Sequence, residues 1–139
     1  MNKLYFSISE LIHSDKAIKH NINNMPDIRS LDCMLDLIFF CLQSAREILG
    51  APMLISSGFR CPQLNKLVGG SVDKYGNPTS QHTKGQAVDF VVKGMSVTRA
   101  YLLLKNSNLE FDQLICEYNK WIHLSFVKGK NRRQAFVKN

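Results

Sequence analysis

The sequence predicts an α+β fold, a small antiparallel sheet packed against helices. Three observations carry this. A wide apolar stripe (Leu31, Met34, Leu35, Ile38, Leu42, Ala45, Leu49) runs at helical spacing between Ser30 and Gly50. Two short apolar runs, 53–57 and 87–92, have the length of strands. Residues 112–118 and 121–127 read as a β-hairpin around Asn119-Lys120. Helices interleaved with an antiparallel pair make α+β the fitting class.

In chain order, Phe6, Ile8, Leu11 and Ile12 are spaced for a short helix after Ser7. Residues 14–29 are polar and close on Met25-Pro26-Asp27, a loop with room for one more helical turn. The main helix follows, with Ser30 as its N-cap, Asp32 in the first turn and Gly50 as its stop. Leu37, Phe39 and Phe40 widen its stripe, so it is expected to be buried and central. Met53-Leu54-Ile55-Ser56-Ser57 is a strand stopped by Gly58, and Pro62 opens a short helix to about Leu67. Residues 71–86 form a long polar loop, a length usually tied to function. In the strand 87–92, Val88, Phe90 and Val92 face one way and Ala87, Asp89 and Val91 the other. Residues 97–106 form a further helix.

The 139 residues suit one domain over 1–139, with a basic tail from about 128. No apolar run approaches the ~18–20 residues that span a bilayer. The formal net charge is +7, densest at Lys128, Lys130, Arg132, Arg133 and Lys138. That excess is open to three readings: nucleic acid, an anionic wall polymer, or a solvated tail. Cys33 and Cys41 share one predicted helix at ~12 Å separation, too far for a disulfide. With no C-x-x-C spacing, all four cysteines are expected as thiols, three of them in the core.

The chemistry concentrates in Ser80-Gln81-His82-Thr83-Lys84-Gly85-Gln86-Ala87-Val88-Asp89. A carboxylate inside a buried strand is costly without a partner. A metal ion suits both a carboxylate and an imidazole. A second histidine lies in Trp121-Ile122-His123-Leu124-Ser125-Phe126. Singly, His82 is a loop histidine, Asp89 a backbone-satisfied carboxylate and His123 a core histidine. Together they form a His/Asp/His set suited to one zinc per chain, with a fourth position open.

The stretch resembles the S-x-H-x-x-G-x-A-x-D signature of zinc D-Ala-D-Ala carboxypeptidases of the peptidase M15 family. Ser57-Gly58-Phe59-Arg60-Cys61-Pro62 is similar to that family's S-G-[YF]-R-x-P, and Asn65-Lys66-Leu67-Val68-Gly69-Gly70 to its N-x-x-V-G-G. Trp121-Ile122-His123-Leu124-Ser125 is similar to its W-V-H-V-S, so the likeness covers roughly residues 5–127. The resemblance implies a hedgehog/DD-peptidase fold and hydrolysis of peptidoglycan stem peptides. Carboxypeptidase and endopeptidase action both stay open. It also implies that Arg60 holds a substrate carboxylate, for which a planar guanidinium is well shaped. A structural ion pair for Arg60 is the other reading. Ser80 and Gln81 are placed to bind substrate or to orient His82, Ser125 to do either, and Trp121 to floor the cleft or simply to pack.

Many relatives carry an acid three residues before the last histidine; here that position is Lys120. The hedgehog-like branch carries a glutamate six before it, which matches Glu117, so Glu117 is the expected catalytic base. Met1 to Ser7 shows no apolar signal core. The chain is therefore expected to be made in the cytoplasm and to reach the wall on release, as phage lysis enzymes do. A peptidoglycan peptide is the expected partner, with no nucleic acid, no membrane span and a monomeric chain. Two rivals stand. Lys120 in place of an acid keeps alive a non-catalytic zinc module that binds wall peptide or a protein partner. A nucleic-acid-binding domain with a structural metal is disfavoured by a basic tail whose one aromatic is Phe136.

Strand parity adds a geometric expectation. A two-residue Asn119-Lys120 loop would pair Glu117 with Ile122 and send Glu117 and His123 to opposite faces. An odd loop, Asn119–Trp121 or Tyr118–Ile122, sets Glu117 opposite His123 and gathers Leu114, Cys116, Leu124 and Phe126 on the other face. The hairpin is thus expected to have an odd loop, with Asp89 projecting toward both residues.

Overall fold

The computed structural model describes residues 3–139. Its elements are α1 (Ile8–Ile12), α2 (Asp15–Lys19), α3 (Ile28–Leu37), a π-helical segment (Ile38–Leu42), α4 (Gln43–Leu49), β1 (Met53–Ser57), α5 (Pro62–Leu67), a 3-10 turn (Gln81–Lys84), β2 (Ala87–Val92), α6 (Val97–Lys105), β3 (Gln113–Glu117), β4 (Trp121–Ser125) and β5 (Gln134–Lys138). The fold is α+β: one five-stranded sheet in the order β1-β2-β4-β3-β5, with helices against one face. The expected antiparallel pairing holds for β1–β2, β2–β4 and β3–β4.

Residues 134–138 depart from expectation. They form β5, parallel to β3, with Glu117 paired to Lys138. The end of the chain is therefore not a solvated tail. The backbone N–H of Arg133 bonds Phe111 O at 3.0 Å, and that of Gln134 bonds Asp112 O at 2.9 Å. The Arg133 guanidinium lies 4.9 Å over the Phe111 ring. Basic side chains do not stop their own backbone from completing a sheet edge.

Strand alternation divides the sheet. Val88, Phe90, Leu114, Cys116, Ile122 and Leu124 are buried on the face that meets the helices. Asp89, Ile115, Glu117, Trp121 and His123 share the other face, by the registers Asp89↔His123, Ile115↔His123 and Glu117↔Trp121. The hairpin loop is Tyr118-Asn119-Lys120, an odd length as expected. The register lies two residues from the expected one, so Glu117 stands diagonal to His123 on the same face. Tyr118 and Asn119 both take left-handed φ, at 55° and 54°. Asn119 tolerates that conformation; Tyr118 offsets the cost by an edge contact with Trp121 at 5.7 Å and a cation from Lys138 over its ring.

The long helix begins earlier than Ser30. Asp27 is the N-cap, accepting the Ser30 N–H at 2.7 Å, and Ser30 lies buried in the first turn. The π-helical segment inserts extra chain into one turn and re-phases the apolar stripe. Ile38, Cys41, Leu42, Ala45 and Leu49 stay buried, whereas Leu35, Phe39 and Phe40 are exposed. A constant 3.6-residue period cannot foresee that shift. Gly50 ends α4 in the left-handed conformation, as expected. All four cysteines are free thiols; Cys41, Cys61 and Cys116 are buried.

Helix α3 also seats the turn that carries His82. Gly85 has φ +73°, and a Cβ there would collide with Ser30 O and Met34 Cγ. Gly85→Ala is expected to lower the unfolding free energy by on the order of 2–3 kcal/mol, since it adds both strain and overpacking. Urea denaturation beside the wild type checks this, and an unchanged midpoint would show that α3 yields at no cost.

Candidate metal centre

Strand pairing places two of the three candidate ligands. Asp89 and His123 are direct partners across β2 and β4, so their side chains rise side by side from the sheet. His82 comes from the 3-10 turn, whose N-cap Ser80 accepts the His82 N–H at 3.2 Å. A close approach of backbones fixes the height of that turn. Gly58 packs against Leu11 with no room for a Cβ, and its carbonyl meets His82 Nδ1 at 2.8 Å.

Asp89 Oδ1 then lies 3.3 Å from His82 Nε2 and 3.1 Å from His123 Nδ1. The two imidazoles meet edge to face, with ring centres 5.2 Å apart. The three ligand atoms fall within 4.8 Å of one another, so His82, Asp89 and His123 could hold a metal ion. Their protons favour it. A carbonyl only accepts, so Nδ1 of His82 carries its hydrogen toward Gly58 O. Nε2 of a neutral His82 therefore directs a lone pair at a carboxylate oxygen. A cation among the three atoms turns that repulsion into coordination. Without a cation, the imidazoles themselves must carry protons toward Asp89. Burial then pushes its carboxyl up, but hydrogen bonds from His123 and His82 and their charge when protonated outweigh it, leaving it well below the usual carboxylate range.

A cleft of about 600 Å³ opens beside this set, reaching it at His123; Ser80, Gln81 and Glu117 are also in its wall. Arg60 is not. It stands behind Ser80, donating from Nη2 to Ser80 Oγ at 3.1 Å, and lines a neighbouring cleft of about 500 Å³. Burial lowers the Arg60 guanidinium, while the charges of Asp89 and Glu117 oppose that shift. Its Nε is buried without a partner, as are Gln81 Oε1 and Trp121 Nε1. Ser125 is fully buried and accepts the Gln113 N–H at 2.9 Å, so its hydroxyl is engaged in the sheet.

Two polar clamps around the site escaped the sequence reading. Asn24, in the polar 14–29 stretch, is buried. Its amide donates to Ile12 O at 2.8 Å and Phe59 O at 3.0 Å and accepts from Cys61 N–H at 2.8 Å, fixing the loop that carries Arg60. Asp112 is the second. It accepts Gln81 Nε2 at 2.7 Å, Arg132 Nε at 2.9 Å, Arg132 Nη2 at 2.7 Å and the Arg132 N–H at 3.0 Å. A buried acid twenty residues from its arginine has no local signature; the one available signal was a lone Asp opening a predicted strand.

Two imidazoles and a carboxylate converge here, with His123 reaching the wall of a polar cleft, and such a donor set suits a metal-dependent hydrolase. The chain belongs to the Peptidase M15 family, which matches residues 4–125, and is by that membership a metallopeptidase. Among curated proteins none matches the chain. Among the described residues no helix is long and apolar enough to cross a membrane.

Asp112 makes acid stability a test of the second clamp. The Arg132 hydrogen bonds, against the opposing effect of burial, hold its carboxyl down at about 2 from an ordinary 3.8. A depressed carboxyl stabilises the fold above its unfolded value and loses that contribution as pH falls through the folded one. The stability gap between wild type and Asp112→Asn is thus expected to be full at pH 5. It should shrink by on the order of 1–2 kcal/mol by pH 2, after screening at the exposed Arg132 is discounted. Chemical denaturation across that range reads it, and a constant gap would count against the ion pair.

Proposed function

We propose that this metallopeptidase is a zinc enzyme that hydrolyses peptidoglycan stem peptides near a D-alanine centre, as a carboxypeptidase or an endopeptidase. The observation that carries the proposal is the convergence of His82, Asp89 and His123 beside a cleft that also holds Glu117. In this reading His82 Nε2, Asp89 and His123 Nδ1 are the ligands, a donor set typical of catalytic zinc. Bound zinc would supply Lewis acidity to the scissile carbonyl and to the attacking water.

The chain's own groups do the rest. Glu117 accepts the proton of the attacking water and returns it to the leaving amine. Glu117 stands diagonal to His123 on the same face of the sheet and lines the same cleft, which is the placement a base beside the ligand set needs. Gly58 O holds His82 in the tautomer that presents Nε2. Gln81, held by Asp112 in the cleft wall, is placed to contact the substrate backbone. Arg60, bonded to Ser80 and facing the neighbouring cleft, takes the substrate carboxylate there. Lys120, exposed at the hairpin tip, has no part in proton transfer. The acting species is a monomer that does not depend on nucleic acid.

Digestion of purified peptidoglycan with and without a chelator, with mass identification of the fragments, tests this directly. Loss of zinc by His82→Ala and His123→Ala is expected from metal analysis; stoichiometric zinc in both would place the site elsewhere. Glu117→Gln is expected to keep zinc and lose roughly 10²–10⁴-fold in hydrolysis. Zinc and wall-peptide binding without hydrolysis by the wild type would instead establish the non-catalytic module. Arg60→Lys is expected to raise KM on the order of tenfold, since an ammonium cannot form the bidentate fork. Unchanged kinetics would assign Arg60 to structure.

A further inference from the structure

The family match ends at residue 125, yet the chain after it returns to the cleft. Arg132 docks on Asp112 and β5 pairs with β3, which sets Lys138 directly beside Glu117 on the cleft face. Lys130, from the turn before β5, lines the same cleft, and Lys84 faces it from the 3-10 turn. Four cations and two carboxylates, Asp112 and Glu117, are in the lining. Arg132 and Asp112 cancel as an ion pair at 2.7 Å. Lys84, Lys130 and Lys138 remain, and among the described residues none forms an ion pair. Like charges gathered around one concavity raise its positive potential and the local concentration of anions.

We infer that the segment 128–138 is a specificity wall, and that Lys130 and Lys138, with Lys84 across the cleft, bind a second carboxylate of an acidic peptide, distinct from the one assigned to Arg60. This rests on the proposed peptidase reading and names the substrate class within it: a stem peptide whose γ-linked D-glutamate keeps its α-carboxyl free, rather than amidated. Arg132 acts as a positioning residue. Its pair with Asp112 holds the segment against the sheet, and Asp112 in turn holds Gln81. Lys128 is not in the lining of the cleft and takes no part, whereas Lys138 lines it while its ammonium also sits 5.7 Å from the Tyr118 ring.

Calorimetric titration of the metal-free full chain with L-Ala-γ-D-Glu-L-Lys-D-Ala-D-Ala and with its D-isoglutamine counterpart tests the wall without relying on turnover. Wild type is expected to bind the acid form about tenfold tighter at low salt, with the ratio falling in 0.5 M salt as the lysines are screened. In Lys130→Gln/Lys138→Gln the two peptides should bind within about twofold of each other, and Lys128→Gln should keep the wild-type ratio. Equal affinities in the wild type, no measurable binding of either peptide, or a preference that survives in the double variant would each overturn the inference. Should the zinc-loaded chain cleave neither peptide while the preference holds, the hydrolytic reading fails and the wall stands.

Discussion

Asp89 is a carboxylate near the middle of a five-stranded sheet, where burial alone opposes its charge. Two imidazoles answer that cost, one from the adjacent strand and one from a turn held by a backbone carbonyl. Most of the local architecture follows from keeping those three groups together. The β2–β4 register must set Asp89 against His123, because a slip of one residue would put one of them into the helix-packed core. The 3-10 turn must seat His82 at the right height, which explains why α3 presses against Gly85 and why Gly58 lacks a side chain next to Leu11. Small residues at both places let backbones approach closely enough to fix a ligand.

Those constraints explain what the sequence disclosed. Asp89 was legible because an acid between Val88 and Phe90 contradicts its surroundings, and such contradictions mark sites. His82 and His123 followed from similar addresses. The odd hairpin loop was legible from parity, since Leu114, Cys116 and Leu124 had to share a core face. Its register was not. The choice between Tyr118–Lys120 and the loops Asn119–Trp121 or Tyr118–Ile122 turns on Tyr118 accepting a left-handed backbone, next to Trp121 and to Lys138 from a strand the sequence did not announce.

The misses share a cause. Period and propensity describe segments one at a time, whereas each missed feature is a relation between distant segments. Phe39 and Phe40 fit a regular stripe until one widened turn rotated it. Ser30 looked like a cap until Asp27, three residues earlier, took the N–H. Asn24 reads as loop filler, yet it joins Ile12, Phe59 and Cys61 through three hydrogen bonds. Buried amides of this kind are satisfied by backbone groups far along the chain, and composition holds no trace of that.

The end of the chain shows how charge can mislead and then inform. Lysines and arginines at 128–138 suggested a solvated tail because charged residues are costly to bury. Burial was never required of them. An edge strand asks only for backbone hydrogen bonds, and alternate residues may stay in solvent while the main chain pairs. Phe136 falls opposite Ile115 and Lys138 opposite Glu117, and Lys138 joins the wall of the cleft. Arg132 fixes the whole return through an acid that would otherwise be buried without a cation. The charges thus have separate tasks: Arg132 holds the segment in place, Lys128 and Arg133 pack on aromatic rings outside the cleft lining, and Lys130 and Lys138 line it. That division turns a feature first read as bulk electrostatics into a wall of the site.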